Sequence, residues 1–173
     1  LGLYWYIVNY VPIASYLLSK PLLSFSVILG MMSVTIYNWL NTYDEASDYL
    51  HLPVDESELL ESKFQAFKVI ALIVILPFLA ASAVLYGGNI LLGTVIALTT
   101  AYYVGSVTMY EAGLNPNERM IEGWTFLKFL VLVNALVIPL LALTSLNTDT
   151  LTILGLLVPM IVIGKLMETF RFE

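Results

Sequence analysis

The chain has 173 residues, 60% hydrophobic and 12% charged, and its mean hydropathy of +0.88 exceeds what a soluble domain of this size can hide from water. Its formal net charge of −6 comes without a basic stripe that would neutralise phosphates, so nucleic acid is excluded as a partner. Cysteine is absent, which removes disulfides and thiolate metal sites, and the lone His51 excludes bis-histidine haem ligation within the chain.

A helix needs about 20 apolar residues to cross a hydrocarbon core, and six runs meet that length, at about 1–18, 22–43, 66–86, 89–110, 124–145 and 150–168. The expected fold is therefore all-α: one transmembrane domain over 1–173, a six-helix bundle with both termini on the same side. Neither a basic n-region nor a small-residue cleavage site precedes the first run, so no signal peptide is expected. A start at Leu1 rather than Met reads as a fragment.

Ser19-Lys20-Pro21 supplies a Ser cap and a nearby Pro to open the second helix. That helix ends in Tyr37-Asn38-Trp39-Leu40-Asn41-Thr42-Tyr43-Asp44-Glu45-Ala46-Ser47-Asp48. If it continues past the membrane edge, Tyr37, Asn41, Asp44, Asp48 and His51 fall on one face at spacings of three and four. Two carboxylates one turn apart, with an amide oxygen a turn before them, suit a hard cation such as Mg²⁺, which leaves its other positions for water and phosphate oxygens. The same spacing also arises when a helix simply becomes polar on reaching water.

Farther along, Asp55 with Glu58, and Asn115 with Pro116 and Glu118, have the spacing of capping boxes, which predicts a helix start inside each long loop. Pro77, Pro139 and Pro159 lie inside apolar runs, where a membrane helix tolerates them as kinks. Glycines such as Gly30, Gly93, Gly105 and Gly155 are expected at close helix contacts. Tyr4, Trp5, Tyr6, Tyr102, Tyr103 and Trp124 suit interfacial anchoring, with cation–π attraction inside a pocket as the functional alternative. Glu111, Asn134 and Lys165 lie in or near apolar runs, but no charged pair deep in the membrane is evident, which leaves a transport reading without a pathway.

The connections alternate between short ones, around Lys20, Gly87 and Asn147, and longer charged ones, at 44–65 and 111–123. Lys63, Lys68, Arg119, Lys128, Lys165 and Arg171 fall with the long loops and only Lys20 with the short ones, which makes the long loops cytoplasmic by the positive-inside rule. Asp149 is the one acid of thirteen on the short-loop side.

The stretch around Asp44 resembles the first aspartate-rich motif of the UbiA superfamily, intramembrane prenyltransferases that carry Asn-x-x-x-Asp-x-x-x-Asp at the cytoplasmic end of the second helix. Asp44 and Asp48 match its aspartates, Tyr37 stands at a position often aromatic, and Pro53 falls where many members have a proline. The amide is displaced by one residue, to Asn41 from the position held here by Leu40. Arg119-Met120-Ile121-Glu122 through Lys128 is similar to the charged residues leading into the family's fifth helix. Taken apart from the resemblance, Arg119 and Glu122 read as an i, i+3 pair and Lys128 as snorkelling to headgroups. The resemblance covers the first two thirds of a typical nine-helix member, and Glu173 stands about where the family's second Asp-rich motif would begin.

The resemblance implies Mg²⁺-dependent transfer of a polyprenyl group from a diphosphate donor to an aromatic or lipid acceptor. Asp44 and Asp48 would be catalytic, Asn41, Asp44 and Asp48 the metal ligands, and Lys128, Arg119 and Tyr37 the substrate contacts. The alternative is a non-catalytic integral membrane subunit that packs against other membrane proteins.

Overall fold

The structure is a computed structural model and describes residues 20–43, 55–146 and 149–172. These are helical almost throughout, with no strand among them. The elements are α1 (Pro21–Met32), α2 (Val34–Tyr43), α3 (Glu56–Tyr86), α4 (Ile90–Ala112), the short α5 (Pro116–Arg119), α6 (Gly123–Ser145) and α7 (Thr150–Phe172). Five helices are long and apolar enough to cross a membrane, with α1 and α2 together forming one span, Pro21–Thr42. The first expected span, 1–18, lies outside the described residues, as do Asp44, Asp48, His51 and Pro53.

Each boundary has a local cause. Pro21 occupies the first turn of α1, where a missing N–H costs nothing, and the capping position is Lys20 rather than the expected Ser19. Between α1 and α2 the Ser33 hydroxyl donates to the Gly30 carbonyl at 2.6 Å, an alternative to regular helix pairing that breaks the span in its middle. The helix expected from 66 begins ten residues earlier, at Glu56, with Glu56 and Glu58 in its first turn, where negative charge opposes the helix dipole. Asp55 stands at its cap without a side-chain bond. At 31 residues, α3 is about 46 Å long and overshoots a hydrocarbon core of about 30 Å. The Asn89 side chain caps α4 by accepting from the Leu92 amide at 3.1 Å. Gly87 and Gly113 terminate α3 and α4 at φ of 66° and 60°, a region that favours glycine. Helices run through Pro77, Pro139 and Pro159 without ending.

The bundle is arranged around α4, which packs against α1, α3, α6 and α7. Most of α4 is buried, and its sequence is accordingly small and weakly polar, including Gly93, Thr99, Thr100, Gly105, Ser106 and Thr108. Ser106 and Thr108 satisfy their hydroxyls on their own helix, through the Tyr102 and Val104 carbonyls. A Cβ on Gly30 of α1 would stand 2.6 Å from Thr100 Cβ and 2.7 Å from the Ala97 carbonyl oxygen, and one on Gly164 of α7 would stand 2.8 Å from the Tyr102 ring. Such contacts are how helices associate where lipid removes the hydrophobic drive between them. Gly93 and Gly105 are equally close to neighbours, whereas Gly155 faces open space and makes no helix contact.

The outer helices bury only one stripe. In α3 the buried residues are Leu60, Lys63, Phe64, Phe67, Ala71, Ile75, Leu79 and Ser82, the spacing of a single helical face. The opposite faces of α3, α6 and α7 expose large apolar side chains such as Val69, Ile73, Val131, Leu151 and Val162, as a lipid-contacting surface requires.

Because Gly30 meets backbone, Gly30→Ala is expected to destabilise the bundle by about 1–3 kcal/mol. Thermal unfolding in detergent measures this, with Gly155→Ala, which meets no neighbour within 4 Å, as the neutral control.

Candidate functional site

The two ends of the bundle differ in chemistry. At the short-loop end, Lys20, Pro21, Leu22, Tyr86, Gly87, Gly88, Asn89 and Thr150 surround a shallow pocket of about 350 Å³. At the other end, the last turns of α2, α4 and α7 meet the first turns of α3 and α6, and the polar side chains there engage one another.

On α2, Tyr37 is fully buried and its hydroxyl donates to the Gly113 carbonyl at 2.9 Å, fastening α2 to the end of α4. Its ring stands edge-on to Phe67 of α3, with centroids 5.7 Å apart. Asn41, one turn on, is 5% exposed and donates through Nδ2 to the Tyr37 carbonyl at 2.9 Å. This leaves the Asn41 amide oxygen buried with no hydrogen-bond partner among the described residues, and the Asn38 amide oxygen is in the same condition. A buried acceptor without a donor is costly, and the site that contains it is suited to a ligand or water that completes it.

Arg171, in the last turn of α7, joins this region to the next. Its Nη2 lies 3.6 Å from Glu56 Oε1 of α3 and presses on Gly113, where a Cβ would stand 2.6 Å from it. Gly113 is thus required twice, for its φ of 60° and for the room it leaves a guanidinium. The Arg171 Nε is buried without a partner among the described residues.

Arg171 also lines a groove of about 700 Å³ between α4, α6 and α7, together with Tyr110, Glu111, Trp124, Lys128 and Phe170. Lys128 is exposed, with its ammonium 5.6 Å from the centroid of the Trp124 ring. Leu127, Val131 and Leu132 continue the wall as an apolar surface. The groove therefore offers two cations and one carboxylate beside a hydrocarbon wall, an arrangement suited to an amphiphile with an anionic head.

The expected site residues thus divide. Tyr37 and Asn41 stand together under the end of α4, and Arg171 links them to Lys128. Tyr37 is held by the protein's own backbone, so its hydroxyl is a strut in this structure. Arg119 lies exposed on α5 and is not part of the groove wall. Glu122, its expected i, i+3 partner, instead accepts from Thr125 at 3.2 Å. Asp44 and Asp48 lie outside the described residues. Among the described residues, no three His, Cys, Asp or Glu side chains gather as a metal site. Sequence reasoning passed over Asn38, although its i, i+3 spacing to Asn41 places both on one face, and gave Arg171 no specific role.

A second polar group lies near the same end of the bundle, one turn before the end of α7. Glu168 of α7 is buried within the candidate spans and is bonded by Lys68 of α3 at 3.4 Å, Lys165 at 3.1 Å and the Tyr102 hydroxyl of α4 at 2.9 Å. The sequence signal was the i, i+3 spacing of Lys165 and Glu168 inside a hydrophobic run.

Fold and site together define a helical bundle with five candidate membrane spans among the described residues, polar at one end and cut there by an amphiphile-sized groove. Comparison with protein-family models, curated proteins and solved structures finds no match.

Tyr37→Phe deletes a buried hydroxyl and strands the Gly113 carbonyl, so a loss of about 1–3 kcal/mol in stability is expected. Denaturant or thermal unfolding of the detergent-solubilised variant checks it.

Proposed function

We propose that the chain is a UbiA-like intramembrane prenyltransferase or a portion of one, an integral membrane protein whose long charged loops face the cytoplasm. The carrying observation is the buried amide oxygen of Asn41, which has no hydrogen-bond partner among the described residues and stands about one helical turn before Asp44 in the sequence. An uncharged hard oxygen donor beside two carboxylates fits Mg²⁺, and Asn41, Asp44 and Asp48 are the residues that would hold it. Bound there, the ion would supply charge neutralisation to a diphosphate.

The groove supports the same reading. Arg171 and Lys128 stand at its polar side and would bind the diphosphate of a polyprenyl donor, Arg171 through its planar fork and Lys128 as a mobile point charge. Leu127, Val131 and Leu132 would take the prenyl chain. When the bond between the allylic carbon and the diphosphate oxygen breaks, the electron pair leaves with the oxygen, where the two cations stabilise it. The carbon is left as an allylic cation, which the nearby Trp124 and Tyr110 rings are suited to stabilise until an acceptor attacks it. Apolar walls keep water away from that carbon.

Mg²⁺-dependent transfer of a labelled polyprenyl group in isolated membranes tests the reading. Asp44→Asn is expected to abolish turnover, and Lys128→Ala to raise the KM for the donor several-fold more than it lowers kcat. Unchanged turnover in Asp44→Asn rejects the enzyme. A chain recovered only in a stoichiometric membrane complex, without isoprenoid binding, supports the subunit alternative.

A further inference from the structure

The Glu168 cluster carries more positive charge than it needs. One carboxylate, its side chain 7% exposed, receives two ammonium groups and a phenol: Lys68 on one oxygen, Lys165 and Tyr102 on the other. Burying the carboxylate requires a counter-charge, and one lysine supplies it. The second leaves the cluster with a net charge of +1. An ammonium has three donors, and each of these lysines makes one hydrogen bond here.

The surroundings of that surplus charge are apolar. The Lys165 side chain is 66% exposed, and its neighbours on α7, Ile161, Val162 and Leu166, are all about half exposed. On α3, Leu72, one turn after Lys68, is also exposed, and Lys68 itself stands 4.9 Å from the Phe64 ring centroid. Hydrocarbon therefore meets this face, with two ammoniums held within reach of one carboxylate at the depth where α7 nears its polar end. Residues 1–19 contain no acid, so that segment has no counter-ion to offer.

We propose that the seam between α3 and α7 at Lys68 and Lys165 binds the phosphate headgroup of an anionic membrane phospholipid, whose acyl chains lie along Leu72 and Ile161. A single phosphodiester charge matches the surplus, and its oxygens accept the donors the lysines have left over. Glu168 acts as the spacer: by holding one lysine on each oxygen it keeps the two ammoniums as a pair instead of letting each snorkel separately.

The test is lipid retention by the full chain, purified in mild detergent with equal phosphatidylglycerol and phosphatidylcholine and read by native mass spectrometry. The wild type is expected to retain phosphatidylglycerol preferentially. Lys165→Gln is expected to lower that retention about fivefold, the factor associated with one lysine at a membrane surface, and Lys165→Arg to preserve it. Lys165 is exposed, and Lys68 with Tyr102 still satisfies Glu168 in the variant, so its melting temperature is expected to stay near wild type. Equal retention of the two lipids by the wild type overturns the proposal, and is the result expected if acids of the 44–54 segment cover the lysines instead. Undiminished retention by Lys165→Gln, or loss by Lys165→Arg equal to that by Lys165→Gln, also overturns it. None of these readouts depends on prenyl transfer.

Discussion

Where Gly30 meets the Ala97 carbonyl and Thr100, α1 and α4 approach so closely that no Cβ fits between them. Gly93 against Ser26 repeats the arrangement in the same interface, and Gly105 against Phe67 of α3 and Gly164 of α7 against Tyr102 repeat it on other sides of α4. In a bilayer, side chains gain little by leaving lipid for protein, so the cohesion of such a bundle comes from van der Waals contact at short range. The bulky residues of α3, α6 and α7 follow from this. Their inner stripes fill the space that α4 leaves, and their outer faces need only be apolar.

The same helix determines where polarity can reside. Its last turn ends at Gly113, which accepts from Tyr37 and leaves room for Arg171. Three helices are thereby referenced to one residue, and the buried amide oxygens of Asn38 and Asn41, without a hydrogen-bond partner among the described residues, lie beside that junction on α2. The Glu168 cluster fastens α3, α4 and α7 one turn before Arg171. Stability and site geometry at this end share the same contacts, so substitutions there are expected to disturb both.

Much of this was legible in the sequence, for identifiable reasons. Five of the six expected spans coincide with helices, the first lying outside the described residues, because a hydrocarbon core offers the backbone no hydrogen-bond partner and leaves an apolar segment of about twenty residues the helix as its self-satisfied form. The span expected from 66 begins later than α3 because hydropathy reports the membrane rather than the helix that projects from it, while the helix start itself was legible in the spacing of Asp55 and Glu58. Tyr37 and Asn41 were recognisable from spacing, yet a spacing could not reveal that the tyrosine hydroxyl is used up by a backbone carbonyl from 76 residues away. Arg171 and Glu168 depend on three helices converging, which periodicity within one helix does not encode. Lys128 was singled out from the resemblance to charged residues leading into a family's fifth helix, and its place over the Trp124 ring was added by the structure.

The helix that carries Lys128 is also the least embedded. Buried residues in α6 begin only at Val133 and continue through Val137, Leu140 and Thr144, so its first turns, with Trp124 and Lys128, rest on the bundle without a buried anchor. One wall of the groove therefore meets the protein on few sides while the opposite wall, α4, is packed among four helices. In a bilayer, lipid would complete the first wall, so the width of the groove would follow the membrane as well as the protein.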